Sequence, residues 1–159
     1  MLFDRTCTGP RLRPGLSHAW WSGGQLYGRL LGRLHAWHGA STWADALAWV
    51  AQHQPDRPIA ELQFWGHGKW GQAYINREIL DAGALQPGHP LHPSLLAIRE
   101  RLVGPAALWW FRTCETFGAV PGQEFARRLT DFLGCRAAGH TYIIGGWQSG
   151  LHSLAPGEQ

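Results

Sequence analysis

Charged side chains are scarce in this sequence of 159 residues, where they make up 16% of the chain, and lysine occurs once, at Lys69. Hydrophobic residues account for 45%. This balance excludes an intrinsically disordered chain, which needs more charge and less apolar surface. Because the net charge is only +3 and the basic residues form no dense run, we expect no nucleic-acid partner.

Cysteine is also sparse. The sequence has three cysteines, Cys7, Cys114 and Cys135, which are widely spaced and form no CxxC pair. An odd, scattered set excludes a disulfide framework and is typical of a reducing compartment, so we predict a cytoplasmic location. The sequence contains no motif that indicates a cofactor, and none is expected.

Long hydrophobic runs are missing as well. No uninterrupted apolar segment approaches the ~20 residues that a transmembrane helix requires, and the N-terminus lacks the pattern of a signal peptide. We therefore expect no membrane partner. A chain of this length is expected to form one domain over residues 1–159 and to bury roughly two-thirds of its unfolded surface.

What the chain does contain is two apolar runs that each lead into a reactive side chain. The first, Ile59 to Trp65, precedes His67, and the second, Ala106 to Phe111, precedes Cys114. Both have the length of a buried strand, and the second is apolar on both faces, as in a strand covered on both sides. If the two strands are parallel neighbours, both side chains emerge at the carboxyl edge of the sheet, where open α/β sheets bind ligands.

The patterns around these two runs predict the remaining elements. Thr42, followed three residues later by Asp45, resembles a helix start, and Pro121 and Gly134 bracket another helix. Gly, Pro and Ser are frequent from Gly9 to Gly24, which predicts a long loop. The alternation of strands and helices predicts an α/β fold with a mostly parallel central sheet and helices on both faces. The predicted elements are a loop over 9–24, helices over 43–52, 94–102 and 122–133, a hairpin or extended arm over 69–76, and a strand within either 135–141 or 141–144.

The two reactive side chains indicate a nucleophile with its base. A free thiol with a pKa of ~8.5 is only a few per cent thiolate at neutral pH, and an adjacent imidazole lowers that pKa by several units. The Cys114 thiolate would attack a carbonyl carbon, the protonated His67 would protonate the leaving amine, and backbone N–H groups would hold the oxyanion. Gly68 has no side chain to block a substrate, so the N–H groups of Gly68 and Cys114 are candidate oxyanion-hole donors.

The order of these residues resembles that of the caspase-like cysteine peptidases, the clan that includes clostripain, gingipains, legumains and separase. Cys114 follows His67 by forty-seven positions, close to the spacing of ~50 in caspases. The motifs are most similar to those of bacterial CHAT-like domains and of related domains of unknown function in large bacterial proteins. In those domains a His-Gly-x-x-Gly turn precedes a hairpin, a strand that ends in Cys, and a Gly-rich turn into a helix. The corresponding segments are His67-Gly68-Lys69-Trp70-Gly71, Phe111-Arg112-Thr113-Cys114, and Gly118 followed by Gly122.

The resemblance covers roughly residues 59–144 and implies a caspase-like three-layer sandwich with endopeptidase activity on a protein or peptide substrate. It implies that His67 is the general base, that Cys114 is the nucleophile, and that Gly68 belongs to the oxyanion hole. The chain departs from the caspase Gln-Ala-Cys-x-Gly signature, because Thr113 and Glu115 flank the cysteine. Aspartate specificity is therefore not implied, and Glu115 would disfavour a thiolate if it points inward.

Three further residues are candidates for a substrate pocket. His140, Trp147 and Gln148 follow or end the last predicted strand, which should bring them near the same carboxyl edge.

A related domain that has lost its activity could use the same cleft to hold a peptide or a protein.

A metal site is the other alternative. His89 with His92, or His35 with His38, could contribute ligands to zinc, but neither pair is matched by a second group with ligand spacing. A serine hydrolase is not supported, because the sequence has no Gly-x-Ser-x-Gly motif.

Overall fold

The computed structural model describes residues 1–10, 14–143 and 150–158, which form a mixed α/β fold. The helices within these ranges are α1 (Leu16–Gln25), α2 (Trp43–Gln52), α3 (His92–Arg101) and α4 (Ala119–Leu133), with a π-helical turn at Leu26–Leu30 and 3₁₀ turns at Ala82–Leu85 and Gly104–Ala106. The strands are β1 (Leu2–Asp4), β2 (His38–Ala40), β3 (Glu61–Trp65), β4 (His67–Lys69), β5 (Gln72–Ile75), β6 (Glu78–Leu80), β7 (Leu108–Arg112), β8 (Arg136–His140) and β9 (Leu151–Leu154).

Six of these strands form the central sheet, in the order β2-β1-β3-β7-β8-β9. All neighbours in this sheet are parallel except β8 and β9, which are antiparallel. The other three strands form a small antiparallel sheet, β4-β5-β6, directly after β3. The predicted α/β fold with a mostly parallel sheet is thus confirmed.

One face of the central sheet carries most of the hydrophobic core. Leu62 and Phe64 of β3 and Trp109 and Phe111 of β7 point to this face, and each is at most 3% exposed. Helices α2, α3 and α4 cover it, so we call it the three-helix face. The core side chains that these helices contribute include Trp43, Leu47, Leu95, Ile98, Phe125 and Leu129.

The opposite face, which we call the arginine face, is covered differently. Its side chains on β3 and β7 include Gln63, Trp65, Trp110 and Arg112, which are half-buried. Helix α1 contacts this face, because a Cβ at Gly23 would lie 2.8 Å from the Trp65 ring. The helices therefore lie on both faces but in unequal number.

The sequence-based elements are confirmed in several places. Helix α2 begins where predicted, and the Thr42 side chain accepts a hydrogen bond from the N–H of Asp45 at 3.0 Å. Helix α4 ends at Leu133, as predicted, with Gly134 as its C-cap at φ 65°, but it begins at Ala119, three residues before the predicted start. The last predicted strand is β8, which ends at His140, and residues 141–143 are not in a strand, so the alternative placement after His140 is wrong.

The prediction of a loop over 9–24 is wrong. Most of that segment is α1, although it contains Gly23 and Gly24, each of which lowers intrinsic helix stability by about 1 kcal/mol. Packing explains the helix: Gly23 lies against Trp65, and Gly24 lies against Trp37. Tertiary contacts thus override the helix propensity.

None of the helices in the described ranges has the length and apolar character needed to cross a lipid bilayer.

Candidate functional site

Strands β3 and β7 bring the two predicted catalytic residues to the same edge of the sheet. The strands are parallel neighbours, and their register pairs Trp65 with Arg112 at their carboxyl ends. His67 and Cys114 each follow two residues after these paired positions. This arrangement follows from the two apolar runs, whose inward-facing side chains are buried in the core.

The segments that carry the two residues are packed closely together. A Cβ on Gly68 would lie 1.8 Å from Thr116 Oγ1 and 3.0 Å from Thr113 Cβ, so this glycine packs against the turn that contains Cys114. The reason for a glycine here is therefore close packing within the protein. Any side chain at this position would push the segment after His67 away from the segment around Cys114.

The hairpin after His67 is anchored to the same turn. The N–H of Trp70 donates to the carbonyl of Glu115 at 2.7 Å, and the N–H of Gly71 donates to the carbonyl of Thr116 at 2.7 Å. Trp70 and Gly71 adopt φ of 45° and 86°, as expected for the two-residue type I′ turn that joins β4 to β5. These two hydrogen bonds thus fix the hairpin to the turn that contains Cys114.

The hairpin register also determines where the Gly68 N–H points. Lys69 and Gln72 flank the turn, and such a pair exchanges both backbone hydrogen bonds. The next pair, Gly68 and Ala73, then exchanges none, so the Gly68 N–H points away from β5. The Cys114 N–H has no hydrogen-bond partner among the described residues. Neither of these two N–H groups is therefore paired within the part of the chain that the structure describes.

The turn that carries Cys114 is held by several hydrogen bonds. Thr113 Oγ1 and Thr116 Oγ1 share one at 2.5 Å, and the Phe117 N–H donates to the carbonyl of His140 at 3.0 Å. Glu115 adopts φ 45°, a conformation that non-glycine residues rarely adopt. Its N–H donates to the carbonyl of Tyr142 at 3.2 Å. The surrounding contacts thus maintain an unfavourable backbone conformation next to Cys114.

The two side chains differ in their surroundings. His67 is exposed, and its ring meets Trp20 of α1 edge-on at 5.7 Å between centroids. Cys114 is half-buried. No hydrogen bond joins the Cys114 thiol to the His67 ring among the described residues. The thiol and the imidazole are therefore not paired in this conformation.

The other two cysteines are poor nucleophiles. Burial and a hydrogen bond from Cys7 Sγ to Asp4 Oδ2 at 3.3 Å raise the pKa of Cys7 to about 12. Burial raises the pKa of Cys135 to about 11. Cys135 directly precedes β8, so it lies at the opposite edge from His67 and Cys114.

The predicted pocket residues have different outcomes. His140 is at the carboxyl end of β8, beside the Cys114 turn, as expected, and it is 1% exposed. The His140 carbonyl accepts a hydrogen bond from the turn, and the buried ring is not presented at the surface. Trp147 and Gln148 lie outside the described residues.

Sequence reasoning missed Asp4, which organises the carboxyl end of β1. This carboxylate is 2% exposed and accepts hydrogen bonds from the N–H and hydroxyl of Thr6, from Cys7 Sγ and from the N–H of Asn76. Asn76 is in the β5–β6 turn, so Asp4 ties the small sheet to the central sheet. The sequence signal that could have identified Asp4 is its position directly after two apolar residues of a short strand.

Sequence reasoning also missed a cation–aromatic stack at the same edge. The Arg112 guanidinium lies 4.4 Å from the ring centroid of Trp65 and 4.4 Å from that of Trp110, and 5.9 Å from Tyr27. The sequence signal for this stack was spacing. Trp65 is two residues from Gln63 and Arg112 is two residues from Trp110, so the members of each pair lie on the same face of their strand.

Three of the four histidines considered for zinc are engaged in other contacts. His89 Nδ1 accepts the N–H of Leu91 at 3.2 Å, His92 packs on Phe132, and His38 Nε2 lies 3.1 Å from Asp45 Oδ1. Across residues 1–10, 14–143 and 150–158, no group of three or more His, Cys, Asp or Glu side chains is arranged to hold a metal ion.

No protein-family model matches this chain, and no curated protein and no solved structure matches it.

Proposed function

We propose that this chain is a caspase-like cysteine peptidase domain, with Cys114 as the nucleophile and His67 as the general base for hydrolysis of a peptide bond. The observation that carries the proposal is the β3–β7 register, which delivers both residues to one edge of the sheet two positions after a paired residue. The resemblance to the caspase-like clan supplies the reaction class, and the three-layer sandwich of that clan remains part of the proposal.

The chemistry follows from the residues at this edge. His67 takes the proton of the Cys114 thiol, and the thiolate sulfur bonds to the carbonyl carbon of a peptide. The N–H groups of Gly68 and Cys114 stabilise the oxyanion, and the imidazolium gives its proton to the departing amine. Water then hydrolyses the thioester and releases the acid. The free state of all three cysteines supports a reducing compartment, and we propose the cytoplasm.

Thiol labelling tests whether His67 activates Cys114. Purified protein is treated with iodoacetamide at neutral pH, and the labelling rate of each cysteine is followed by peptide mass spectrometry. Cys114 should react fastest, since the pKa values of Cys7 and Cys135 are raised to about 12 and about 11. His67→Ala should slow the labelling of Cys114 by at least about tenfold. His152→Ala, which removes an exposed histidine from β9, is the matched control.

A second measurement separates catalysis from binding alone. Wild type and Cys114→Ser are incubated with a complex peptide mixture, and new termini are identified by mass spectrometry. New termini that require Cys114 support the peptidase. If no termini appear and His67→Ala leaves the labelling rate of Cys114 unchanged, the dyad is inactive and the non-catalytic binding domain is the correct function.

A further inference from the structure

We propose that the outer surface of α1 and of the π-helical turn after it docks onto an anionic lipid bilayer. This inference is independent of the proposed catalytic function. We call this region the α1 surface. Its apolar side chains have exposed fractions of 50% for Leu16, 50% for Trp21, 47% for Leu26, 78% for Leu30 and 49% for Leu31.

The opposite side of α1 already has its partners in the protein. Ser17 and Gly24 are buried, Gly23 lies against the Trp65 ring, and Gly28 lies against Trp37. The glycines let this side of the helix approach the arginine face closely. The leucines of the α1 surface therefore do not serve the core, and a cluster of exposed apolar side chains on one helix indicates an interaction site.

The charge around the α1 surface identifies the kind of partner. Residues 5–44 contain no aspartate and no glutamate, whereas the whole chain has a net charge of only +3. The remainder of the chain therefore carries a net negative charge. Arg29 and Arg33, which flank Leu30 and Leu31, are both exposed. The arginines in this segment are Arg5, Arg11, Arg13, Arg29 and Arg33. An apolar helix surface bordered by Arg29 and Arg33 matches an anionic partner.

A recess next to the helix favours lipid over an acidic protein. It has a volume of about 290 Å³ and is lined by Arg5, Thr8, Ser17, His18 and Trp21. Arg5 donates to Ser41 Oγ through Nε at 2.5 Å, and its terminal nitrogens have no hydrogen-bond partner among the described residues. Trp21 belongs both to this recess and to the α1 surface. A cationic recess beside projecting leucines suits a lipid phosphate next to its acyl chains.

This docking mode is compatible with the absence of a membrane-spanning segment. The sequence-based expectation of no membrane partner rested on the lack of a long apolar run. A helix that lies in the plane of the interface needs no such run, because only one side of it enters the acyl boundary.

Vesicle co-sedimentation of the full chain tests the proposal. The probes are phosphatidylcholine vesicles with and without roughly 30% phosphatidylserine. The protein should sediment with the anionic vesicles only, and less at high salt. Leu26→Ser combined with Leu30→Ser should weaken binding by about tenfold or more, and Arg33→Ala should weaken it by about fivefold. The matched controls on α4 are Val120→Ser, which removes a side chain that is 74% exposed, and Arg127→Ala; both should bind like wild type.

Three results would overturn this inference. The first is no binding to anionic vesicles at low salt, and the second is equal loss of binding in the α4 controls. The third is a different occupant: a dimer in solution that the Leu26/Leu30 double variant converts to a monomer, or binding to soluble polyglutamate without binding to vesicles. Thermal unfolding followed by circular dichroism should be unchanged in the variants, since the substituted side chains are exposed.

Discussion

Trp109 and Trp110 are consecutive residues of β7 that lie on opposite faces of the sheet, and their surroundings differ sharply. Trp109 is fully buried on the three-helix face and stacks on Phe111 with ring centroids 5.6 Å apart. Trp110 is half-buried on the arginine face, where it stacks with the Arg112 guanidinium. An apolar run therefore predicts burial of a strand, but it does not predict whether helices or a stacked cation provide the cover.

The largest expected difference between the two faces is in stability. Trp109→Ala should lower the free energy of unfolding by about 3–5 kcal/mol, because it leaves a large cavity in the core. Trp110→Ala should cost about half as much, since its ring is already partly in contact with water. Urea unfolding of both variants measures the difference. Equal losses would show that the two faces contribute equally.

Arg101 links two helices of the three-helix face, and removing it should have the next largest effect. Its guanidinium donates to the carbonyls of Val50, His53, Gln54 and Arg57, in the last turn of α2 and the segment after it, with Nη2 distances of 3.0, 2.7 and 2.9 Å to the last three. Arg101→Ala should cost about 3 kcal/mol, because it leaves the carbonyls of Val50 and His53, whose hydrogen bonds are partly buried, without these donors.

Two variants control for this effect. Arg101→Lys has a single ammonium and should recover less than half of the loss. Arg99→Ala removes an exposed arginine of the same helix, and its unfolding curve should stay within about 0.5 kcal/mol of wild type. A similar loss for Arg99→Ala would mean that helix charge, and not the carbonyl contacts, is responsible.

The third prediction concerns Gly68, at the carboxyl edge of the central sheet. Gly68→Ala should cost about 2 kcal/mol, because its Cβ would overlap Thr116 Oγ1. Combining it with Thr116→Ala should recover part of that loss, which a double-mutant cycle from urea unfolding measures. Strict additivity of the two substitutions would contradict close packing of Gly68 against the Thr116 side chain.

The smallest expected effect is on the arginine face. Arg112→Ala should cost about 1–2 kcal/mol through loss of its stacking with Trp65 and Trp110. Arg112→Lys should recover part of this, since an ammonium interacts with an aromatic ring but lacks the planar shape that stacks. If Arg112→Ala unfolds at the same urea concentration as wild type, the stack contributes nothing to stability.

The elements that organise the site could be predicted from the sequence because they depend on local patterns. The runs before His67 and Cys114 are continuous and apolar, and the intervening residues provide the crossover that parallel strands need. Helix α2 was predictable because Thr42 caps it through its own side chain. These features depend on residues that are near one another in the sequence.

What the sequence did not reveal depends on contacts between distant residues. Helix α1 forms where glycines predicted a loop, because the absent side chains make room for Trp37 and Trp65. Gly68 could be interpreted as an opening for substrate, whereas Thr116 fills the space beside it. The orientation of the His67 ring toward Trp20 of α1 likewise depends on a helix that the pattern did not predict.

The strand order has a consequence for how the site is assembled during folding. Strands β3 and β7 pair across a long intervening stretch of chain, so their pairing must await a slow loop closure. The β4–β5 hairpin, which contains His67, has a two-residue connection and can form within about 1–10 μs. We therefore expect the hairpin that contains His67 to become ordered first. The turn that contains Cys114 should reach it only when the central sheet has formed.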